Sequence, residues 1–96
     1  MIDTSNYIIK PCSDGVSMDV RPSKRFSISL KEIDFDGHPH LKTEIKTSQV
    51  VILYYISKNP IKVTIYTSGR MLIDTREEPL VNEIIQVVIS KFPSKI

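Results

Sequence analysis

The stretch from Lys62 to Asp74, KVTIYTSGRMLID, contains two short runs in which apolar and polar residues alternate. Alternation with a period of two is typical of a β-strand that buries one of its faces. Only Thr67-Ser68-Gly69 separates the runs, and a short connection containing glycine is typical of a β-hairpin. The stretch therefore predicts two antiparallel strands joined by a tight turn, with Val63 and Ile65 on the buried face.

Two further strand candidates come immediately before this hairpin. The run from Leu41 to Lys46 alternates, whereas the run from Val50 to Ile56 is apolar throughout. A strand that is apolar throughout gives no indication of which of its faces is buried. The four runs together predict an antiparallel meander with short connections.

The period of the apolar residues changes after the meander. Pro79 suits the first turn of a helix, and the acidic Glu77 and Glu78 complement the positive start of a helix. The apolar residues then recur at helical spacing over about half of the helical wheel: Leu80, Val81, Ile84, Ile85, Val88, Ile89 and Phe92. We expect this helix to lie across the inner face of the meander.

The N-terminal part of the chain is more ambiguous. Residues 1–25 contain two short strand candidates, Tyr7 to Lys10 and Val16 to Val20, around the turn sequence PCSDG, so an N-terminal strand or hairpin is expected. Ser29 to Glu32 has the pattern of a capping box and predicts a short helix near residues 29–35. The alternation from Phe26 to Leu30 instead fits a further strand.

These patterns predict a single α+β domain over residues 1–96, which is a usual length for one domain. The expected architecture is an antiparallel sheet of about five strands, with the long C-terminal helix and the short helix packed on one face. The alternative, with Phe26 to Leu30 as a strand, is a pleckstrin-homology-like barrel with a C-terminal helix, which implies binding of a lipid headgroup or a peptide.

A sheet covered on one side by helices leaves its other side for water or a partner. In the meander this outer side carries Thr64, Tyr66 and Leu72, with Lys62 and Arg70 at the rim. The apolar strand adds one of two alternating sets, either Val51, Leu53 and Tyr55 or Ile52, Tyr54 and Ile56, and we take the first set. An apolar patch with a basic border is typical of an interaction surface. The alternative is that residues 1–25 cover it.

Charge and cysteine content narrow the classes of function. The chain has 13 basic and 11 acidic residues, a net charge of +2, which does not indicate nucleic-acid binding by overall charge. No apolar run approaches the roughly 20 residues of a membrane helix, and the N-terminus lacks the pattern of a secretory signal. The single cysteine, Cys12, fits a reducing compartment. We expect an intracellular, cytoplasmic protein that does not enter a membrane.

No pattern in the sequence predicts an active site, a metal site or a cofactor. Asp34, Asp36, His38 and His40 lie within one short stretch, but their spacing fits neither a calcium loop nor a tetrahedral zinc site, so an exposed loop is expected. Cys12 has no histidine near it in sequence to act as a base. The chain is therefore predicted not to be an enzyme.

Residues 28–92 resemble half of a TATA-box-binding protein. The segment VILYYISKNPIKVTIYTSGRMLIDTREEPLVNEIIQVVI is similar to that family in its strands, its turns and the acidic start of its helix, and ISLKEID is similar to the opening of the family's short helix. The most specific element is Ser68-Gly69-Arg70-Met71 between two strands. The resemblance implies one strand, a short helix, four antiparallel strands and a long C-terminal helix.

In that family two such repeats form a saddle whose concave sheet lies in the minor groove of DNA, where phenylalanines wedge base steps apart. The resemblance places Thr64, Tyr66 and Leu72 on concave positions, with Tyr66 at a wedge position. The other wedge phenylalanine is missing near residues 47–49, and Asp74 replaces a small neutral residue. Both departures argue against kinking of the TATA type, and a saddle requires a homodimer because the chain holds one repeat.

The expected function is a non-catalytic, nucleic-acid-associated binding module that presents its open sheet face as a homodimer and binds DNA or RNA. The alternative is a protein-interaction or assembly module that uses the same face, which the near-neutral charge and Asp74 favour. The candidate binding residues are the same for both functions: Lys62, Thr64, Tyr66, Arg70, Leu72, Val51, Leu53 and Tyr55.

Overall fold

The computed structural model of the chain describes residues 7–12, 15–23 and 27–92. These residues form one antiparallel sheet of six strands with a single α-helix and two 3-10 turns. The strands are β1 (Tyr7–Pro11), β2 (Met18–Pro22), β3 (Leu41–Lys46), β4 (Val50–Tyr55), β5 (Ile61–Tyr66) and β6 (Met71–Ile73). The helix α1 spans Glu78–Ile89, and the 3-10 turns span Leu30–Glu32 and Phe35–Gly37.

The predicted meander is confirmed. Strands β3 to β6 pair with one another in chain order, and β2 then pairs with β6, which gives the sheet order β1-β2-β6-β5-β4-β3. The turn between β5 and β6 closes through hydrogen bonds from Tyr66 N to Arg70 O and from Gly69 N to Tyr66 O, both 2.9 Å. Gly69 has a φ of +86°, a left-handed conformation that glycine adopts without steric cost.

The sheet is open, because β1 and β3 lie at its opposite edges. The pleckstrin-homology-like barrel is therefore wrong for this chain. Residues 27–29, part of the proposed extra strand, have no regular secondary structure, and Phe26 lies outside the described residues. The predicted short helix is also corrected, since two separate 3-10 turns stand in its place and Ser29 makes no side-chain capping bond.

Helix α1 lies on one face of the sheet and buries the apolar side predicted for it. Val81, Ile84, Ile85 and Val88 are all at most 2% exposed. The helix ends at Ile89, earlier than its apolar pattern predicts, but the chain turns once more and Phe92 is still buried. Burial of such side chains contributes about 1.5 to 3 kcal/mol each before the entropy cost, so this interface is a main source of stability.

The connection between β2 and β3 completes the core on the same side as α1. Its apolar residues Ile28, Leu30, Ile33 and Phe35 are buried in one cluster with the helix and the inner face of the sheet. A hydrogen bond of 2.9 Å from Ile28 N to Thr67 O attaches the connection to the β5–β6 turn. Both covering layers therefore lie on the inner face, and the other face carries no layer from the described residues.

The N-terminal strands extend the sheet rather than covering it. Strand β1 pairs with β2 from Tyr7 opposite Pro22 to Pro11 opposite Met18, and β2 continues the ladder to β6. The sheet thus has one strand more than the approximate five predicted. The alternative in which this part of the chain folds over the outer face is wrong for the described residues 7–12 and 15–23; residues 1–6, 13–14 and 24–25 lie outside the description.

Candidate functional site

The outer face is the side of the sheet opposite α1, and strand register determines which side chains share it. Ile52 on β4 pairs with Thr64 on β5, Thr64 pairs with Leu72 on β6, and Leu72 pairs with Asp19 on β2. These four side chains form a row across the middle of the face. All four are partly buried, so the centre of the outer face is largely apolar and accessible.

One end of the outer face is built around Tyr54. Lys42 on β3 and Lys62 on β5 are the register partners of Tyr54, so a lysine stands on each side of the ring. A hydrogen bond to Glu44 raises the pKa of the Tyr54 hydroxyl, since an adjacent negative charge disfavours the phenolate. This end therefore offers an aromatic ring between two lysines, with the carboxylate of Glu44 at its hydroxyl.

A cavity of about 710 Å³ and another of about 550 Å³ adjoin this end of the sheet. The smaller one lies beside Tyr54 and is lined by Lys42, Thr43, Glu44, Tyr54, Ile56 and Pro60. The larger one runs along the β4–β5 turn to the start of α1 and includes the acidic residues Asp74, Glu77 and Glu83. The smaller cavity gives the Tyr54 end of the outer face some depth.

The opposite end of the outer face is built around Tyr66 and Arg70. The guanidinium of Arg70 lies 5.6 Å from the centre of the Tyr66 ring, within the range of a cation–π contact. Tyr66 pairs with Val50 on the next strand, so apolar surface continues beside it. The two tyrosines of the outer face thus lie on opposite sides of the central row, Tyr66 under Arg70 and Tyr54 with Lys42 and Lys62 on the neighbouring strands.

Asp19 determines how much positive charge the Tyr66 end presents. Its carboxylate accepts bonds from Arg70 Nε at 3.0 Å and Arg70 Nη2 at 3.2 Å, and also from Arg21 Nε at 3.0 Å. Partial burial by itself raises the pKa of Asp19, but the hydrogen bonds and charges of the two arginines outweigh burial, so the pKa lies below its ordinary value. The hydrogen bond to Asp19 in turn raises the pKa of Arg70.

No family model, curated protein or solved structure matches the chain. Its function therefore has to be inferred from the arrangement of its own side chains.

Five of the residues proposed from sequence are brought together on the outer face. Thr64, Tyr66 and Leu72 face outward with Lys62 and Arg70 around them, according to the register of β5 and β6. Whether they bind a partner stays a prediction.

The choice between the two alternating sets of β4 is corrected by the structure. Val51 and Leu53 are fully buried and Tyr55 is 3% exposed, so these three side chains lie in the core and not on the binding face. The outward residues of β4 are Val50, Ile52 and Tyr54. The error arose because β4 is apolar on both faces, so its own sequence holds no alternation to read.

Tyr55 has a structural position instead. Its ring lies 5.7 Å from the ring of His40, and its hydroxyl bonds to Glu83 on α1. Burial, followed by the hydrogen bond and charge of Glu83, raises the pKa of Tyr55 to about 12. Tyr55 therefore joins the end of β4 to the helix.

Asp19, Arg21 and Lys42 are outer-face residues that sequence reasoning did not include. Asp19 and Arg21 lie on β2, whose pairing with β6 could be established only from the sheet order. The alternation within β3 was a usable signal for Lys42, since it places Lys42 opposite Leu41. No signal within β2 predicts that Asp19 meets Arg70.

The stretch with Asp36, His38 and His40 forms hydrogen bonds within the chain. Asp36 Oδ1 accepts from Thr43 N at 2.7 Å, His38 Nδ1 accepts from His40 N at 3.1 Å, and His40 Nδ1 lies 3.1 Å from Ile56 O. Within residues 7–12, 15–23 and 27–92, no group of three or more His, Cys, Asp or Glu side chains is placed to hold a metal ion.

Two further features bear on the chemistry of the chain. Cys12 is a partly exposed free thiol at the end of β1, and Arg76 Nη2 donates a 2.6 Å hydrogen bond to its carbonyl oxygen. None of the helices in the part of the chain that the structure describes has the length and apolar character needed to cross a membrane.

Proposed function

We propose that the chain is a non-catalytic binding module whose outer face binds nucleic acid. The observation that carries the proposal is the pairing of ring and cation at both ends of an open sheet face: Tyr54 between Lys42 and Lys62, and Tyr66 beneath Arg70. Aromatic rings on an open sheet stack on bases, while neighbouring cations attract the phosphates.

The spacing of the two tyrosines favours single-stranded nucleic acid over a duplex as the ligand. Tyr54 is level with Lys62, and Tyr66 lies four positions after Lys62 on β5. At about 3.3 Å per residue the backbone positions of the two tyrosines are about 13 Å apart in the direction of the β-strands. That distance leaves room for a base between the stacked ones, over the apolar row of Ile52, Thr64 and Leu72.

A duplex kinked in the manner of TATA-box DNA is less well supported. The wedge position that Tyr66 would occupy is covered by the guanidinium of Arg70, and Asp19 brings a carboxylate onto the same face. A carboxylate near phosphates is repelled. Single-stranded nucleic acid has bases that are already exposed, so no side chain is required to wedge base steps apart.

The order of elements is part of the proposal. From β2 onward the chain runs through one strand, short 3-10 turns, four antiparallel strands and a C-terminal helix, as expected of a single TATA-box-binding-protein-like repeat. We assign the domain to that fold type with β1 added at the edge. An intracellular location is also proposed, because Cys12 has no second cysteine in the chain with which to form a disulfide.

One observation favours a protein partner as the second candidate. Asp19 offsets one of the two positive charges of Arg70 and Arg21, so the Tyr66 end presents less positive charge than its arginines suggest. The centre of the face, with Ile52 and Leu72, is aliphatic, and such a surface suits the apolar core of a protein interface.

Binding of fluorescent mixed-sequence single-stranded DNA and RNA, followed by anisotropy at low salt, tests the proposal. Tyr54→Ala is expected to weaken binding about tenfold, since stacking contributes about 1 to 3 kcal/mol per base. Lys62→Glu should weaken binding further and reduce its salt dependence. Lys31→Glu, on the first 3-10 turn away from the outer face, is the control for charge and should bind almost as wild type.

Absence of binding to every oligonucleotide contradicts the proposal, and so does equal weakening by Lys62→Glu and Lys31→Glu. The protein alternative is favoured instead if a stoichiometric partner co-purifies after nuclease treatment and is lost in Leu72→Lys. Circular dichroism of each variant establishes that the sheet is intact.

A further inference from the structure

The two edges of the sheet differ in how their backbone groups are used. An exposed edge strand presents unpaired N–H and C=O groups to any other strand, and proteins usually block such edges. Strand β3 forms one edge and β1 forms the other. Only an edge whose outward backbone groups are not already bonded can accept a strand from another molecule.

The β3 edge is blocked by the chain itself. The outward N–H groups of Leu41 and Thr43 are taken by His38 O at 3.1 Å and Asp36 Oδ1 at 2.7 Å. A β-bulge between Thr43 and Ile45 bends the strand, and the Lys46 side chain reaches Ile33 O at 2.6 Å. Each of these features prevents another strand from adding there.

On the β1 edge, the register shows which groups point outward. Cys12 N donates to Ser17 O at 2.9 Å, so in an antiparallel ladder the pairs that exchange bonds with β2 are Lys10 with Asp19 and Ile8 with Arg21. The intervening residues, Tyr7 and Ile9, therefore point their N–H and C=O groups away from the sheet.

The prolines of the hairpin agree with this assignment. Pro11 and Pro22 lie opposite Met18 and Tyr7, in the pairs that do not exchange hydrogen bonds, where the missing N–H costs nothing. The side chains on this edge are also unusually apolar for an exposed strand, since Ile8 is 48% and Ile9 36% exposed. Within the described residues, Pro11 at the end of β1 lacks an outward N–H, but the outward groups of Tyr7 and Ile9 have none of the blocking contacts that protect β3.

We propose that two copies of this chain associate through β1, antiparallel about a twofold axis between their Ile8 residues. In this register Tyr7 of each copy lies opposite Ile9 of the other, and their outward N–H and C=O groups form four hydrogen bonds. Ile8 packs against Ile8 on the outer side, and Tyr7 packs beside Ile9 on the inner side. The sheets of the two copies then become continuous.

The second copy is favoured over an unrelated strand because β1 is complementary to itself. A head-to-tail arrangement of β1 on β3 of the next copy, which leads to open filaments, is prevented by the blocked β3 edge. Pairing of β1 with β1 closes after two copies. The inference concerns the edge of the sheet and does not rest on the proposed function of the outer face.

Sedimentation velocity over a wide range of protein concentration tests the dimer. Ile9→Pro removes the outward N–H without touching the β1–β2 ladder and should raise the dimer dissociation constant by about tenfold or more, through loss of two intermolecular hydrogen bonds. Ile9→Thr also shortens the side chain but keeps the N–H. It is the matched control and should remain closer to wild type.

A charge exchange at Ile8 tests the register. Ile8→Lys and Ile8→Asp should each be monomeric, because like charges meet at the axis, whereas a mixture of the two should form a heterodimer. A wild-type protein that is monomeric up to about millimolar concentration overturns the proposal. So does a dimer that persists in Ile9→Pro, or a mixture of the Ile8 variants that does not associate.

Discussion

Arg70 and Asp19 form a bidentate ion pair across the outer face, with Nε to Oδ1 at 3.0 Å and Nη2 to Oδ2 at 3.2 Å. The residues are 51 positions apart in sequence, and the pair ties β2 to the end of the β5–β6 turn. Because Asp19 also binds Arg21, one carboxylate restrains two of the cations at the Tyr66 end. The charge available to a ligand on this face therefore depends on Asp19.

Asp19→Asn should increase the affinity for single-stranded oligonucleotides. The substitution removes a negative charge and frees Arg70 and Arg21 for phosphates, so the slope of log affinity against log salt should steepen by about 0.7 for each added phosphate contact. Anisotropy titrations at several salt concentrations measure this slope. Glu32→Gln, a matched loss of charge on the first 3-10 turn, should leave it unchanged, and a weaker affinity in Asp19→Asn would contradict the prediction that Asp19 withholds the two arginines from phosphates.

The contribution of Asp19 to the free energy of unfolding should depend on pH in the acidic range. Its pKa is lower in the folded chain than its ordinary value of 3.8, so its stabilising effect is present above that value and is lost as the pH falls through the lowered pKa. In urea denaturation, Asp19→Asn should be less stable than wild type by about 1 kcal/mol at neutral pH. The difference should shrink below pH 3.8. A difference that is constant with pH would contradict the ion pair.

Tyr55 should make the fold sensitive to alkali. Its folded pKa of about 12 exceeds the ordinary 10.0, so its contribution is complete below pH 10 and is lost as the pH rises toward 12. Stability measured by chemical denaturation should fall across this range. The decline should be shallower in Tyr55→Phe, which keeps the buried ring and has no proton to lose, and an equally steep decline in that variant would contradict the assignment.

Ile85→Asp should unfold the domain. Ile85 is fully buried between α1 and the sheet, and an unpaired carboxylate there costs about 4 kcal/mol or more, which is comparable with the whole stability of a small domain. The loss should appear in the circular dichroism and the thermal melt. Gln86→Asp, one position along the helix and exposed, is the matched control and should still melt cooperatively.

Gly69→Ala should destabilise the chain by about 1 to 2 kcal/mol, because a side chain at a φ of +86° crowds the following carbonyl. Gly69→Asn should cost less, since asparagine tolerates the left-handed conformation better. Urea denaturation of the two variants measures the difference. Equal stability of wild type and Gly69→Ala would mean that the turn can adopt another conformation.

Much of the fold follows from patterns within short segments. The β5–β6 hairpin could be predicted because alternation and a glycine turn are local signals, and α1 could be predicted because its apolar residues keep a helical period. The two 3-10 turns were harder to predict. Leu30 and Phe35 are anchored by burial in the core, and the backbone between these anchors adopts single turns rather than a continuous helix.

The sequence by itself thus determined the strands of the meander and the helix α1, because the spacing of apolar residues within each segment differs between a strand and a helix. The tertiary structure alone decided three other matters. It decided that Val51, Leu53 and Tyr55 point into the core, that Asp19 meets Arg70, and that β1 lies at an edge of the sheet. The physical reason for the first is that β4 is apolar on both faces, so its own residues do not indicate which face is buried. The other two depend on the pairing of β2 with β6, which are far apart in the chain, and no pattern within either strand identifies its partner.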